Sequence, residues 1–221
     1  MSSNNTTTVP IDEPVHALND RIAAQNRQLF KQHGLLVLNL LSSPGSGKTA
    51  LLERTLTDLK DHMRMGVIVG DLQTDNDAQR LSGKGAPVKQ IMTQDVCHLE
   101  ASMVARAAAD LPLHDLNVLF IENVGNLVCP ATYDLGEDLR VVLVSVTEGE
   151  DKPLKYPVIF KNAHVVLVTK VDLAAAVGFD RDSALNNIRR IAPQATVLEV
   201  SARTGTGMEA WYHLLKVQRR Q

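Results

Sequence analysis

A glycine-rich stretch, SSPGSGKT, has residue types and a spacing that suit the binding of phosphate groups. Gly47, Lys48 and Thr49 match the end of the pattern G-x-x-x-x-G-K-[ST], whereas Ser42 stands where that pattern begins with glycine. Gly45 and Gly47 carry no side chain, so backbone N–H groups can converge there on phosphate oxygens. Lys48 is predicted to bridge the β- and γ-phosphates of a nucleotide, and the Thr49 hydroxyl to bind Mg²⁺.

Acidic side chains end two of the predicted strands and suit a magnesium site. Asp71 follows MGVIVG, and Glu122 ends LNVLFIE. Because Mg²⁺ prefers oxygen ligands, these two acids and Thr49 are the predicted magnesium ligands. Asp75 is predicted either to bind Mg²⁺ or to orient the attacking water, whereas a helix-capping role for Asp77 stays equally open. The predicted catalytic residues are Lys48, Asp75 and Glu122.

Motifs after three predicted strands favour a guanine nucleotide. The stretch ENVG, which ends at Gly125, resembles the DxxG element of GTPases, whose glycine senses the γ-phosphate. TKVD resembles the guanine box NKxD, with Thr169 in place of asparagine. Asp172 would accept two hydrogen bonds from guanine that adenine cannot donate in full. SAR, after the last strand, resembles the SAK loop over the base. The predicted nucleotide-binding residues are Gly45, Ser46, Gly47, Lys48, Thr49, Gly125, Lys170, Asp172, Ser201, Ala202 and Arg203.

The chain has two cysteines, and both lie near residues that can act with them. Cys97 precedes His98 at the predicted start of a helix, and Cys129 follows the Glu122 strand by seven residues. Two thiolates and an imidazole suit Zn²⁺ or Ni²⁺, although a structural zinc site wants four ligands. Water or a weak ligand could complete an open site, or two chains could pool their ligands. Buried, inert cysteines are the alternative.

These residues must be positioned by an α/β fold. Continuous apolar runs alternate with helical patterns, which predicts a mostly parallel seven-stranded sheet with helices on both faces, as in P-loop NTPases. We predict a disordered tail over 1–11, an appended helix over 12–34 and one nucleotide-binding domain over 35–221. The helix is capped by Asp12 and has Val15, Leu18, Ile22, Leu29 and Phe30 near one face. Simple packing and a docking or dimerisation role are both open for it.

Composition excludes several classes of protein. The chain has 221 residues, a formal net charge of -2 and 44% hydrophobic residues, typical of a globular protein. We see no basic stripe for nucleic acid and no apolar run long enough for a membrane span. The amino terminus lacks the pattern of a signal peptide, which predicts a cytoplasmic protein with reduced cysteines.

The motifs GDLQTDNDAQR, CHLEA, FIENVGNLVCPA and SVTEGEDKPLKYP, together with SSPGSGKT, resemble the HypB family over about residues 12–218. Members of that family are GTPases that help to insert nickel into [NiFe]-hydrogenase. The resemblance implies a GTPase of the SIMIBI class that forms a homodimer when GTP is bound. It also implies that Cys97, His98 and Cys129 form a nickel or zinc site at the dimer interface. Its implied partners are the metallochaperone HypA and the hydrogenase large subunit.

Three departures from the family pattern qualify this expectation. No cysteine precedes Cys97, so the cysteine-rich nickel motif of many members is missing from this sequence. The seven histidines are scattered, which argues against nickel storage. Thr169 replaces the asparagine of the guanine box. The related urease accessory GTPases carry a Cys-Pro-His metal motif, which this chain lacks.

Three hypotheses follow from the sequence. The first is a GTPase whose slow hydrolysis gates nickel transfer. The second is a nickel or zinc carrier in which the nucleotide is a dimerisation switch with little catalytic role. A urease-accessory-type nickel GTPase is a further alternative. The third, a small-molecule kinase with a P-loop, is disfavoured by the TKVD and SAR motifs.

Overall fold

A computed structural model of the chain describes residues 15–73, 76–94 and 96–219. In these residues seven strands form one sheet, in the order β3-β2-β4-β1-β5-β6-β7. Every pair of neighbouring strands is parallel, so the predicted seven-stranded sheet is confirmed and is parallel throughout. The strands are β1 (Leu36–Ser42), β2 (Met65–Asp71), β3 (Val88–Met92), β4 (Val118–Glu122), β5 (Leu139–Ser145), β6 (Val165–Thr169) and β7 (Thr196–Val200).

Strand β1 lies at the centre of the sheet, and all of its residues are buried. A parallel strand that is covered on both faces reads as a continuous apolar run, which is why LLVLNLL predicts it. Strand β4 lies on one side of β1 and β5 on the other, so the order of strands along the chain reverses there. Ligands of open α/β sheets bind at the carboxyl ends of the strands beside such a reversal. The SSPGSGKT stretch begins at that point.

Helices cover both faces of the sheet. One face packs against α2, α3 and α8, with Leu51 and Trp211 in its core. The other face packs against α1 and α4 near β2 and β4, and against α6 and α7 near β5 and β6. The helices in the described residues are α1 (Val15–Gln32), α2 (Lys48–Leu59), α3 (Asn76–Leu81), α4 (Ala101–Ala109), α5 (Lys152–Lys155), α6 (Pro157–Lys161), α7 (Arg181–Ile191) and α8 (Met208–Gln218). None of them is both long and apolar enough to span a bilayer.

Helix α4 begins later than the sequence predicts. Glu100 has extended backbone angles, φ -108° and ψ 155°, and caps a helix whose first residue is Ala101. The backbone N–H of Leu99 donates to the side-chain oxygen of Asn123 and not to a helical carbonyl. Cys97 and His98 therefore lie in the loop before the helix, and their placement at a helix start is wrong.

Helix α1 buries only part of the face that its apolar residues suggest. Phe30 is buried as predicted, whereas Leu18 is 41% exposed. The buried positions are Asn19, Ala23, Asn26 and Phe30, which share one face at helical spacing. Two asparagines occupy this face because backbone groups of the sheet domain bind their amides. The predicted cap Asp12 and the predicted tail lie outside the described residues.

Candidate functional site

The loop SSPGSGKT, here called the P-loop (residues 42–49), joins the end of β1 to the start of α2. Gly45 and Gly47 have φ angles of +75° and +101°, a left-handed conformation that favours glycine. The ammonium group of Lys48 donates to the Ser42 hydroxyl at 2.9 Å. Ser42, the departure from the consensus, thus holds the lysine close to its own loop. The amino terminus of α2 directs N–H groups and its positive dipole end to the same place.

Glu122, at the end of β4, meets Thr49 inside this site. The Thr49 hydroxyl donates to Glu122 Oε1 at 2.7 Å. Buried Glu122 Oε2 has no hydrogen-bond partner among the described residues. Burial raises the pKa of Glu122 to about 7 and lowers the pKa of Lys48. A buried hydroxyl, an unpartnered carboxylate oxygen and a desolvated cation fit a site built for Mg²⁺ and phosphate.

A cavity of about 480 Å³ opens between the P-loop and the ends of β2 and β4. Its lining includes Asp71 and Asp77, so both acids face the phosphate region. Asp77 also lies in the first turn of α3 and 3.8 Å from Arg80, in agreement with a helix-terminal role. Asp75 lies outside the described residues, so its predicted catalytic role stays a prediction.

Gly125 lies against the P-loop. A Cβ atom at Gly125 would lie 2.9 Å from Pro44 Cα, closer than real Cβ contacts. The segment after β4 therefore follows the P-loop backbone without an intervening side chain. The response of Gly125 to the terminal phosphate stays a prediction.

A second cavity, of about 200 Å³, adjoins the first and shares Gly47 and Lys170 with it. The hydroxyl of Ser201 donates to Asp172 Oδ1 at 2.6 Å, which orients that carboxylate. Ala202 and Arg203 line the same cavity. The two cavities together are called the nucleotide cleft below. The structure thus brings together the residues of the predicted base-binding motifs.

The TKVD segment is tied to the P-loop. The Thr169 hydroxyl donates to Ser46 O at 2.7 Å, in a buried position. Lys170 has a left-handed φ of +57°, and its ammonium group donates to Gly45 O at 2.7 Å. Thr169 therefore supplies a hydrogen-bond donor to the P-loop in the position where the consensus has asparagine.

Sequence reasoning missed Glu148, which supports the P-loop from β5. The carboxylate oxygen Glu148 Oε2 accepts from the Ser46 hydroxyl at 3.0 Å and from Ser145 N at 2.8 Å. The spacing of Ser145 and Glu148 is a capping box, which the sequence contains as SVTE. Lys152, four residues further along the chain, donates to the Ser43 hydroxyl at 3.4 Å.

Cys97, His98 and Cys129 form one group, here called the cysteine–histidine cluster. One ligand atom from each lies within 4.8 Å of the others. Neither nitrogen of His98 has a hydrogen-bond partner among the described residues, and burial lowers the pKa of its ring. The pKa of the Cys97 thiol is raised, mainly by a hydrogen bond with Cys129 and to a smaller extent by burial. Two thiols and a free imidazole at this separation are a suitable ligand set for a borderline divalent ion.

A buried amide links the nucleotide cleft to this cluster. Asn123 follows Glu122 directly, and its side-chain oxygen accepts from Leu99 N at 3.2 Å, beside His98. Its amide group donates to the side chain of Asn39 on β1 at 3.2 Å. The residue after a candidate magnesium ligand therefore holds the loop that carries two cluster residues.

The same network continues to the loop of Cys129. Asn39 donates to Glu137 Oε1 at 3.3 Å, and Arg140 donates to that oxygen at 2.8 Å. The Arg140 guanidinium also donates to the carbonyls of Ala131 at 2.9 Å and Tyr133 at 2.8 Å. Sequence reasoning missed this network, although a polar Asn39 within an apolar run was a signal for it.

Comparison with known proteins identifies the family of this chain. Residues 36–199 match the family described as CobW/HypB/UreG, nucleotide-binding domain. The chain is 50% identical over 209 residues to the hydrogenase maturation factor HypB of Rhizobium leguminosarum bv. viciae, covering 95% of this chain and 70% of the relative.

Solved structures of HypB proteins resemble this chain. HypB of Helicobacter pylori in complex with nickel has a TM-score of 0.88 and 42% identity, covering 92% of this chain and 95% of that one. The signal recognition particle 54 kDa protein of Aeropyrum pernix K1 in complex with GDP shares the fold alone, with a TM-score of 0.59 and 14% identity over 94% of this chain and 58% of that one. This chain therefore belongs to the CobW/HypB/UreG nucleotide-binding family and, within it, to the hydrogenase maturation factors of the HypB type.

Proposed function

We propose that this protein is a GTP-hydrolysing metallochaperone that couples GTP-dependent dimerisation to nickel delivery during [NiFe]-hydrogenase maturation. One observation carries the proposal. A segment of eight residues starts in the nucleotide cleft at Glu122 and ends in the cysteine–histidine cluster at Cys129. A change in the contacts of Gly125 with the terminal phosphate would therefore reach a metal ligand through few residues.

The P-loop holds the phosphates, and the second cavity holds the base. Backbone N–H groups around Gly45, Ser46 and Gly47 bind the phosphate oxygens, and Lys48 contacts the β- and γ-phosphates. Asp172 pairs with guanine, with Ser201, Ala202, Arg203 and Lys170 around the base. The 2.6 Å hydrogen bond from Ser201 supports this assignment, because it prepares the carboxylate for the base edge.

Mg²⁺ is the resident cofactor that these residues fit, with Thr49, Glu122 and Asp71 as its holders. When bound, it neutralises charge on the β- and γ-phosphate oxygens. Lys48 would stabilise the same charge through its ammonium group, and Asp75 would either hold Mg²⁺ or orient the attacking water. The close approach of Gly125 to Pro44 places the segment after β4 beside the predicted phosphate position.

The cluster binds nickel as cargo, with zinc as the competing ion. HypB of Helicobacter pylori is described as a complex with nickel, which supports this assignment at 42% identity. Three ligands leave the coordination of such an ion incomplete, so a second copy of the chain or water completes it. A site of this kind can release its ion to an acceptor, for which we propose HypA and the hydrogenase large subunit. We place this activity in the cytoplasm, where the two free thiols remain reduced.

The test is a metal titration of wild-type protein and of C129A and H98A. We expect both variants to bind Ni²⁺ at least about tenfold more weakly in chelator competition, with unchanged affinity for a fluorescent GTP analogue. H114A is the matched control, since the His114 side chain is 74% exposed. Unchanged nickel affinity in C129A would refute the cargo site.

Assembly and nucleotide choice need a second measurement. Light scattering with GDP or a non-hydrolysable GTP analogue, each with and without Ni²⁺, should give a dimer with the GTP analogue. Tighter binding of ATP than of GTP in a nucleotide titration would overturn the assignment of the base pocket. A monomer under all four light-scattering conditions would overturn the coupling of dimerisation to GTP.

A further inference from the structure

Helix α1 precedes the nucleotide-binding domain, yet it binds the two loops that carry the cysteine–histidine cluster. Its buried face includes the side chains of Asn19 and Asn26, which are 5% and 3% exposed. Buried amides are costly unless they are hydrogen-bonded, so both side chains need hydrogen-bond partners in the folded protein.

Each amide joins the same two segments of chain. Asn19 accepts from Ala101 N at 2.9 Å and donates to Asp134 O at 2.8 Å. Asn26 donates to Ala101 O at 2.9 Å and to Leu135 O at 3.1 Å. Both backbone groups of Ala101 are therefore held by α1, and the loop at 134–135 is held by the same two side chains.

These anchor points lie close to the cluster along the chain. Ala101 follows His98 by three residues, and Asp134 follows Cys129 by five. The anchored loops come from different parts of the chain, and the cluster forms only where they meet. Helix α1 thus joins the segment that follows His98 to the segment that follows Cys129.

Two further contacts make the docking of α1 specific. Arg27 Nη2 donates to both carboxylate oxygens of Asp134, with both distances 2.8 Å. Gly136, with φ +93°, lets the helix approach, because a Cβ there would lie 2.7 Å from Ala23 O and from Asn26 Cβ. Apolar packing alone would allow several positions of a helix along its axis. Directional hydrogen bonds fix one position of α1 against the segments that it contacts.

We propose that Asn19 and Asn26 are positioning residues for the metal site formed by Cys97, His98 and Cys129. They set the separation of the two loops and hence the distance between the thiols and the imidazole. This inference rests on the proposed metal-binding function of the cluster. It assigns to the amino-terminal helix a part in metal binding, in addition to simple packing.

The experiment compares full-length N26D and N19A with wild-type protein and C129A. N26D keeps the shape of the side chain but removes both donated hydrogen bonds. We expect it to weaken Ni²⁺ binding by about 10- to 100-fold, as for other residues that support metal ligands, and to change the thiolate-to-nickel charge-transfer absorption. N19A should act in the same direction. Affinity for a fluorescent GDP analogue should stay within about twofold, since α1 lines neither cavity of the nucleotide cleft.

The matched control is Q25E, the same amide-to-carboxylate change at an exposed position of the same helix. It should bind Ni²⁺ as the wild-type protein does. Folded N26D and N19A with wild-type nickel affinity and absorption would overturn the inference, provided that C129A loses affinity. A parallel loss of nickel and GDP affinity would also overturn it, because that result indicates general loosening of the fold. Wild-type nickel affinity in C129A would instead refute the proposed function.

Discussion

The Thr49 hydroxyl donates a 2.7 Å hydrogen bond to Glu122, which joins the P-loop to the end of β4 inside the protein. Both side chains are proposed magnesium ligands. Their contact fixes the distance between the P-loop and the end of β4. Asn123, the next residue, extends the connection to the loop of Cys97 and His98. Buried Glu122 and Asn123 thus connect the nucleotide cleft to the cysteine–histidine cluster.

Replacement of Glu122 by glutamine should change the pH dependence of stability. Burial raises the pKa of Glu122 from about 4.5 to about 7 in the folded, metal-free protein. Between these values the unfolded chain releases the proton first, so the Glu122 contribution to the free energy of unfolding falls as pH rises. E122Q should lose this decline, which urea unfolding between pH 4.5 and 7.5 measures. The exposed acid in E209Q serves as control, and an unchanged slope in E122Q would contradict the prediction.

Replacement of Asp172 by asparagine should weaken guanine recognition. The change removes a charged acceptor of two hydrogen bonds, each worth about 1.5–3 kcal/mol, so GTP affinity should fall at least about 100-fold. Affinity for xanthosine triphosphate should rise, because the xanthine 2-oxygen can accept from the new amide. Fluorescent-nucleotide titration measures both effects. D182N changes a side chain that is 89% exposed and should have neither effect; equal GTP affinity in D172N would refute the base pocket.

Replacement of Asn123 by alanine should uncouple the two sites. In wild-type protein we expect the nickel affinity to differ between the GDP-bound state and the state with a non-hydrolysable GTP analogue, typically by about 5- to 150-fold. N123A leaves Leu99 N without its side-chain acceptor and should bring this ratio close to one. Chelator competition in both nucleotide states measures the ratio.

The control for this change is N117A, an asparagine just before the opposite end of β4 whose side chain accepts from Arg64 N. It should retain the wild-type ratio. A wild-type ratio in N123A would show that the Asn123 network does not carry the coupling, whereas no ratio in wild-type protein would refute the coupling itself.

Strands β1, β2, β4, β5 and β6 were predictable because each is a largely buried apolar run. Strand β3, VKQIM, gives a weaker signal because it contains lysine and glutamine and its residues are half-buried or exposed. The proximity of the P-loop, TKVD and SAR residues was also predictable, because the carboxyl ends of parallel strands meet at one edge of the sheet.

Other features were not predictable from local pattern. The start of α4 and the buried face of α1 depend on Asn123 and Asn26, whose partners are backbone groups of distant segments. Helical periodicity ranks leucine above asparagine as a buried residue, and only the tertiary partners reverse that order. Arg140 donates to the carbonyl groups of Ala131 and Tyr133, and backbone carbonyls carry no residue-specific signal in the sequence.

The separation of Cys97 and Cys129 along the chain bears on when the proposed site could take up its ion. An unfolded chain would have to close a long loop to bring these thiols together, so we expect capture of the ion to follow folding. Ligation then lowers the free energy of the native state and slows any reopening of the two loops. An empty protein should be the more readily proteolysed form, so its lifetime in a cell would track the supply of its cargo.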